Sequence, residues 1–164
     1  MSLLLFFACQ DKNRQSEIKT NINPFFQKWE TPYKLPPFLH IKNEHYMPAF
    51  EKGMKENIKE IEKIAKNAEE PTFANTIEEL ERSGKLLSKV QRTFFNLAGS
   101  NTNPELQELQ RELSPILSTH YDKIVLNRDL FLRVEKLWKD KKNLELTNEQ
   151  IKLLEDTRKQ FVRS

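Results

Sequence analysis

Apolar residues recur at three- and four-residue steps in five stretches of this chain, with proline, glycine and asparagine concentrated between them. At 3.6 residues per turn such spacing gathers the apolar side chains on one face, so each stretch is read as an amphipathic helix. The first begins near Glu44 and carries Met47, Phe50, Met54, Ile58, Ile61 and Ala65. Pro48 must then lie in its first turn, where a missing N–H does little harm. A break follows at Asn67 to Pro71. The second helix is expected to start at Asn75, capped by that side chain with Glu78 reaching back. Its seam would run through Ile77, Leu80, Gly84, Leu87, Gln91 and Phe94 to Leu97 or Ala98. Gly84 on that seam costs about 1 kcal/mol relative to alanine, which points to close approach by a neighbouring helix.

Gly99 to Pro104 reads as a turn ending in a cap and a proline at the first helical position. The third helix uses Leu106, Leu109, Leu113, Ile116, Leu117, His120 and Ile124, and Pro115 inside it is expected to kink it. A shorter helix follows Asn127, with Leu130, Phe131, Val134, Leu137 and Trp138 inward. The last starts at Thr147, boxed with Gln150, and buries Ile151, Leu154, Phe161 and Val162. It runs to Ser164 without a stop signal, so the chain is expected to be cut within an element. Short connections imply antiparallel neighbours. Only three glycines, with 31% charged and 37% hydrophobic residues, fit such helices and not an all-β protein. The fold class is all-α: antiparallel amphipathic helices arranged as helical hairpins.

Ahead of the helices, residues 24–43 hold Pro24, Pro32, Pro36 and Pro37 interleaved with Phe25, Phe26, Trp29, Tyr33 and Phe38. Proline at that density excludes a regular helix, and the aromatics argue against free disorder. The expectation is an extended strap across the helical body with its rings in grooves. Residues 10–23 read as a flexible polar linker. Before it, Ser2 to Ala8 is a short apolar run ending in a small residue just ahead of Cys9. This resembles the end of a bacterial lipoprotein signal, with Cys9 the lipidated residue. No lysine or arginine precedes the run, so either the true start lies upstream or the run is a chance apolar terminus. The first alternative implies a truncated signal at residues 1–9, a lipid anchor and a periplasmic or outer-membrane-associated protein; the second leaves a cytoplasmic one.

Basic and acidic residues, 27 and 24, are spread along the chain, and the densest run, Lys136 to Lys142, is interrupted by Asp140. Without a clustered basic face, no nucleic-acid partner is expected. The three histidines are His40, His45 and His120; none is followed by glutamate and no two are four apart. A zinc-hydrolase helix needs that pattern, so no catalytic, cofactor-binding or metal-binding residue is expected. A metal bridged by His40 and His45 is the one alternative spacing leaves open. Serine has no elbow motif, and glycine forms no phosphate loop. Glu69-Glu70 and Glu78-Glu79-Glu81 read as solvated or lysine-paired helix faces. Phe94-Phe95 reads as packing.

Several segments nevertheless form an ordered set: Asn23-Pro24, Pro36-Pro37-Phe38, Glu44 to Phe50, Pro71 to Ile77 and on to Leu80-Glu81-Arg82-Ser83-Gly84, Phe94 to Leu97, Asn127 with Leu130-Phe131, and Leu146 to Gln150. Together they resemble the amino-terminal region of the thimet-oligopeptidase-like zinc peptidases, of the peptidyl-dipeptidase and oligopeptidase A type. The resemblance implies that residues 24–164 are the helical amino-terminal lobe of a longer peptidase, with a zinc motif, His-Glu-x-x-His, further along. It implies zinc in the full-length parent and none on this chain. It implies short peptides and a carboxy-terminal catalytic lobe as partners, with this lobe as a channel wall restricting substrate size. None of the family's catalytic or metal-binding residues falls on a position of this chain. His45, Pro48 and Gly84 are read as structural, His45 packing or holding the strap by a hydrogen bond. A reading of another class also stands: a free-standing helical binding module without enzymatic activity.

Overall fold

The computed structural model describes residues 22–100 and 103–163 of the 164, and these form helices and turns with no strand among them. The expectations for Cys9, for residues 1–9 and for most of the linker therefore lie outside the described residues. Helix α1 spans Tyr46–Ala65. A wide π-helical turn, Phe73–Glu78, runs into the short α2, Glu79–Arg82. Helix α3 is Lys85–Ser100, α4 Pro104–Val125, α5 Arg128–Asp140 and α6 Asn148–Val162.

The caps explain where these helices start. Asn103, Asn127 and Thr147 each accept a hydrogen bond from the N–H three residues on, at 2.8, 3.0 and 3.3 Å. Each thereby satisfies one donor that a helix start leaves orphaned. Gln150 completes the expected box by accepting from the Thr147 N–H. The expected cap at Asn75 is displaced: Thr72 is the cap, its hydroxyl accepting from the Asn75 N–H while Asn75 Oδ1 accepts from the Thr72 N–H. Asn75 thus serves as the reciprocating third residue. Pro48 does sit in the first turn of α1. Helix α4 continues through Pro115.

Two apolar cores are strung along α1. The first gathers Phe25, Tyr46, Ala49 and Phe50 with Leu87, Val90 and Phe94 of α3 and Leu106, Leu113 and Leu117 of α4. Its aromatic rings meet at tilted or edge-on angles, Tyr46 to Phe94 at 5.0 Å and Phe50 to Phe94 at 5.6 Å, as ring quadrupoles prefer. The second gathers Ile61 and Ile64 with Ile77, Leu130, Val134, Leu137, Leu154 and Phe161. The inward face of α1 is turned from the periodicity reading. It runs through Tyr46, Ala49, Phe50, Gly53, Asn57, Ile61 and Ile64, leaving Met47, Met54 and Ile58 half-buried at its margin. Ile116 and Val162, also expected inward, are exposed.

Partners along α1 and α3 run in opposite order, Tyr46 with Phe94, Gly53 beside Leu87, Asn57 with Ser83, so this pair is antiparallel. Helices α5 and α6 pair the same way, through Glu135 with Arg158 and Phe131 with Phe161. The all-α hairpin architecture holds. Helices α1 and α4, not sequential, run parallel: Asn43, just before α1, bonds Glu105, and Asn57 bonds His120.

The single long helix expected over residues 75–98 is broken instead. Ser83 is extended and Gly84 has φ +67°, a left-handed conformation costly to any residue with a Cβ. The close helix approach inferred at Gly84 falls at Gly53, where an added Cβ would stand 2.9 Å from the Leu87 Cα and N. Around Gly99 there is nothing within 4 Å. Gly53→Ala is therefore expected to lower stability by about 1–3 kcal/mol through overpacking. Gly99→Ala, in the last turn of α3, should raise it by about 0.5–1 kcal/mol. Urea denaturation of the two variants checks both signs.

Candidate functional site

Between the two cores lies a polar layer. His120 Nε2 and Asn57 Oδ1 are 2.9 Å apart, with both residues buried. Asn57 Nδ2 donates to Ser83 Oγ at 3.2 Å, and the Ser83 hydroxyl donates to the Leu80 carbonyl at 2.7 Å. Since the Asn57 amide nitrogen is spent on Ser83, its oxygen faces His120, which must carry the donating proton on Nε2. The Gly84 N–H donates to Glu60 Oε2 at 2.7 Å. A side chain at Gly84 would meet Asn57 Nδ2 at 3.0 Å, so the glycine makes room for this chain of bonds. Burial, then the nearby Lys123, pushes the His120 pKa below its ordinary 6.5.

A groove of about 610 Å³ runs between the strap and α3. Trp29 and Phe38 form its aromatic wall with Pro36 beside them; Lys85, Lys89 and Arg92 supply charge against Glu81. The strap is not one extended segment. It is a series of short 3-10 turns, Pro24–Phe26, Pro32–Lys34, Phe38–His40 and Asn43–His45. The second turns on Tyr33 and Lys34, both at positive φ, and is closed by the Thr31 hydroxyl donating to the Leu35 carbonyl. Of the rings expected in grooves, Phe25 is buried and Trp29 half-buried, whereas Phe26, Tyr33 and Phe38 are exposed. Phe26 lies under the Lys52 ammonium, 5.6 Å from its ring centre, and Phe38 lines the groove, whereas Tyr33 at the positive-φ turn is almost fully exposed.

Lys89 holds the strap in place. Its ammonium donates to the Phe25 and Gln27 carbonyls at 3.0 and 2.8 Å and sits 4.1 Å from the centre of the Trp29 ring. Burial lowers its pKa. Asn23 caps the first turn and donates to the His45 carbonyl at 2.7 Å. His45 thus holds the strap through its backbone; its ring Nδ1 accepts from the Lys42 N–H at 3.0 Å.

In the second core, Arg133 is buried and donates to the Asn67 and Glu69 carbonyls and to Asn75 Oδ1, at 2.7, 3.0 and 2.9 Å. Tyr46, at the heart of the first core, has a hydroxyl without a hydrogen-bond partner among the described residues, and burial pushes its pKa up to about 12. Nothing in the structure explains a phenol there in place of a phenyl ring.

His40 and His45 line one hollow of about 440 Å³ with Pro24, Trp29 and Lys42, but no carboxylate or thiol lines it, and His120 is buried elsewhere. Among the described residues no three His, Cys, Asp or Glu side chains stand close enough to hold a metal ion. Two imidazoles alone fall short of the three protein ligands a catalytic zinc takes, so this donor set does not fit that ion. Phe94 is buried as expected, while Phe95 packs edge-on against it at 5.2 Å and is otherwise exposed. Sequence reasoning passed over Lys89, Asn57, Gly53 and Arg133. The last three were detectable, since each sits on an apolar seam where a small or polar residue is out of pattern. Lys89 carries no such signal.

No family model matches the chain. The chain is 42% identical over 143 residues to dipeptidyl carboxypeptidase of Escherichia coli (strain K12), covering 87% of this chain and 21% of that protein. It is 39% identical over 140 residues to the dipeptidyl carboxypeptidase of Salmonella typhimurium, covering 85% and 21%. To oligopeptidase A of Escherichia coli it is 28% identical over 90 residues, 55% of this chain and 13% of the relative. Its homologues are thus peptidases of the thimet-oligopeptidase family. The chain spans about a fifth of the length of the dipeptidyl carboxypeptidases it matches.

Two outcomes test the geometry. Lys89→Met should cost about 2 kcal/mol, since bonds to a charged donor contribute about 1.5–3 kcal/mol and here share their work with a ring. Hydrogen exchange of the strap amides should speed up and Trp29 emission shift to the red, with α5 and α6 unaffected. His120 binds its proton more weakly folded than unfolded, so its contribution to stability is complete above pH 6.5 and is lost as pH falls through the folded value. The loss is at most about 1.4 kcal/mol per pH unit. Urea midpoints between pH 7.5 and 5 should fall more steeply for the wild type than for His120→Gln, which keeps a donor but does not titrate.

Proposed function

We propose that this chain is a helical, non-catalytic part of a zinc-dependent peptidase acting on short peptides. The observation that carries the reading is the 42% identity to dipeptidyl carboxypeptidase over 87% of this chain. The relatives' names describe removal of dipeptides from carboxyl ends and cleavage of oligopeptides. No His-Glu-x-x-His occurs in these 164 residues, and the described donors do not fit a catalytic zinc. The zinc and bond cleavage therefore belong, in this reading, to parts of the protein other than this chain. What this chain contributes is a wall. The strap–α3 groove, with aromatic, hydroxyl and cationic groups on one surface, suits contact with a few residues of extended peptide. Export and a lipid anchor on Cys9 belong to the same reading, on the sequence pattern ahead of the linker.

A segment exchange tests it. In Escherichia coli dipeptidyl carboxypeptidase, the region matching this chain is replaced by this chain's own residues. The chimera should fold, hold zinc and release dipeptides in a chelator-sensitive way, with kcat/KM within about tenfold of the parent, a barrier change of about 1.4 kcal/mol. A chimera that folds and holds zinc but cuts nothing overturns the reading. So does chelator-sensitive cleavage by the purified 164-residue chain.

A further inference from the structure

The parallel pair α1 and α4 leaves a groove of about 570 Å³ that shares no lining residue with the strap–α3 groove. Its floor is Met54 and Ile58 from α1 with Pro115 and Ile116 from α4, the last 41% exposed. Its rim is Lys55 and Lys59 from α1 and Lys123 from α4, and no carboxylate lines it. Lysines elsewhere along α1 and α6 mostly form an ion pair with an acid one turn away, as Lys52 does with Glu56, Lys66 with Glu62 and Lys159 with Glu155. Lys55, Lys59 and Lys123 have neither an ion-pair partner nor a hydrogen-bond acceptor among the described residues. Lys123 is close enough to His120, on the groove's inner side, to disfavour its protonation. Three unpaired cations around an apolar strip repel one another, and an incoming anion relieves that repulsion.

We propose that this groove is a docking site for an amphipathic helix whose apolar stripe is flanked by glutamate or aspartate. A concave channel between two helices receives a ridge of side chains from a third, which a flat lipid surface does not supply. The apolar floor takes the stripe, and the rim lysines meet the flanking carboxylates. Charge complementarity chooses this partner over a basic or neutral one.

Fluorescence anisotropy with the full chain tests it, using two labelled synthetic helical peptides with one leucine stripe, flanked by glutamates in one and lysines in the other. The glutamate peptide should bind, and more weakly as salt rises. The lysine peptide should not. The triple variant Lys55→Glu, Lys59→Glu, Lys123→Glu should lose at least about tenfold in affinity for the first peptide and gain affinity for the second. Ile116→Glu should weaken the glutamate peptide likewise. All four positions are exposed, and circular dichroism establishes that the variants stay folded. Equal binding of both peptides, binding of neither, or an unchanged preference in the triple variant overturns the proposal. Recruitment to anionic vesicles or self-association through the same lysines, in place of peptide binding, also overturns it.

Discussion

Asn57 sits where α1 would otherwise carry an aliphatic residue, and its amide decides how two cores share one helix. An unpaired buried amide costs on the order of 1–3 kcal/mol, so both ends of this one must find partners. The oxygen faces His120 on α4 and the nitrogen reaches Ser83 at the junction of α2 and α3. Those two contacts set α4 parallel to α1 and place the break that lets α3 turn back along it. Gly84 adopts its left-handed backbone there, beside the amide, and Gly53 lets Leu87 close in one turn earlier. Apolar packing alone would tolerate several registers of α3 on α1. The polar layer tolerates one.

Each core is closed by a cation that binds backbone carbonyls and no carboxylate. Lys89 gathers the Phe25 and Gln27 carbonyls and so ties the strap to α3. Arg133 gathers the Asn67 and Glu69 carbonyls beyond the end of α1 and so ties that loop to α5. Helix ends and short turns leave carbonyls without intrahelical donors, and the carboxyl end of a helix carries partial negative charge. A cation placed there satisfies orphaned acceptors while its own charge is stabilised. The numerous ion pairs on the outer faces, by contrast, are solvent-exposed and individually worth little.

Homology to peptidases and a set of residues without a fitting metal site are compatible once catalysis is separated from the shape that surrounds it. Among the described residues the chain builds a mixed aromatic and cationic groove and a separate apolar groove with lysines on its rim. Among the described residues, buried His120 serves the polar layer, buried Arg133 binds backbone carbonyls, and the Tyr46 ring packs in the first core.

Helix existence was legible because a 3.6-residue apolar repeat and three side-chain caps, Asn103, Asn127 and Thr147, are local properties of the chain. The family resemblance was legible for the same reason, resting on short ordered segments. The rotated face of α1, the cap at Thr72 and the break at Gly84 were not, because each depends on what lies across from it: Leu87 against Gly53, Arg133 against Asn75, Asn57 against Gly84. Which strap rings are covered likewise rests on Lys89, sixty-four residues from Phe25. Sequence by itself determined that this protein is helical and roughly where each helix begins, since periodicity and capping act within a few residues. Tertiary structure alone decided which face of each helix turns inward and which lysines are left unpaired, since burial and charge pairing are settled between residues far apart in the chain.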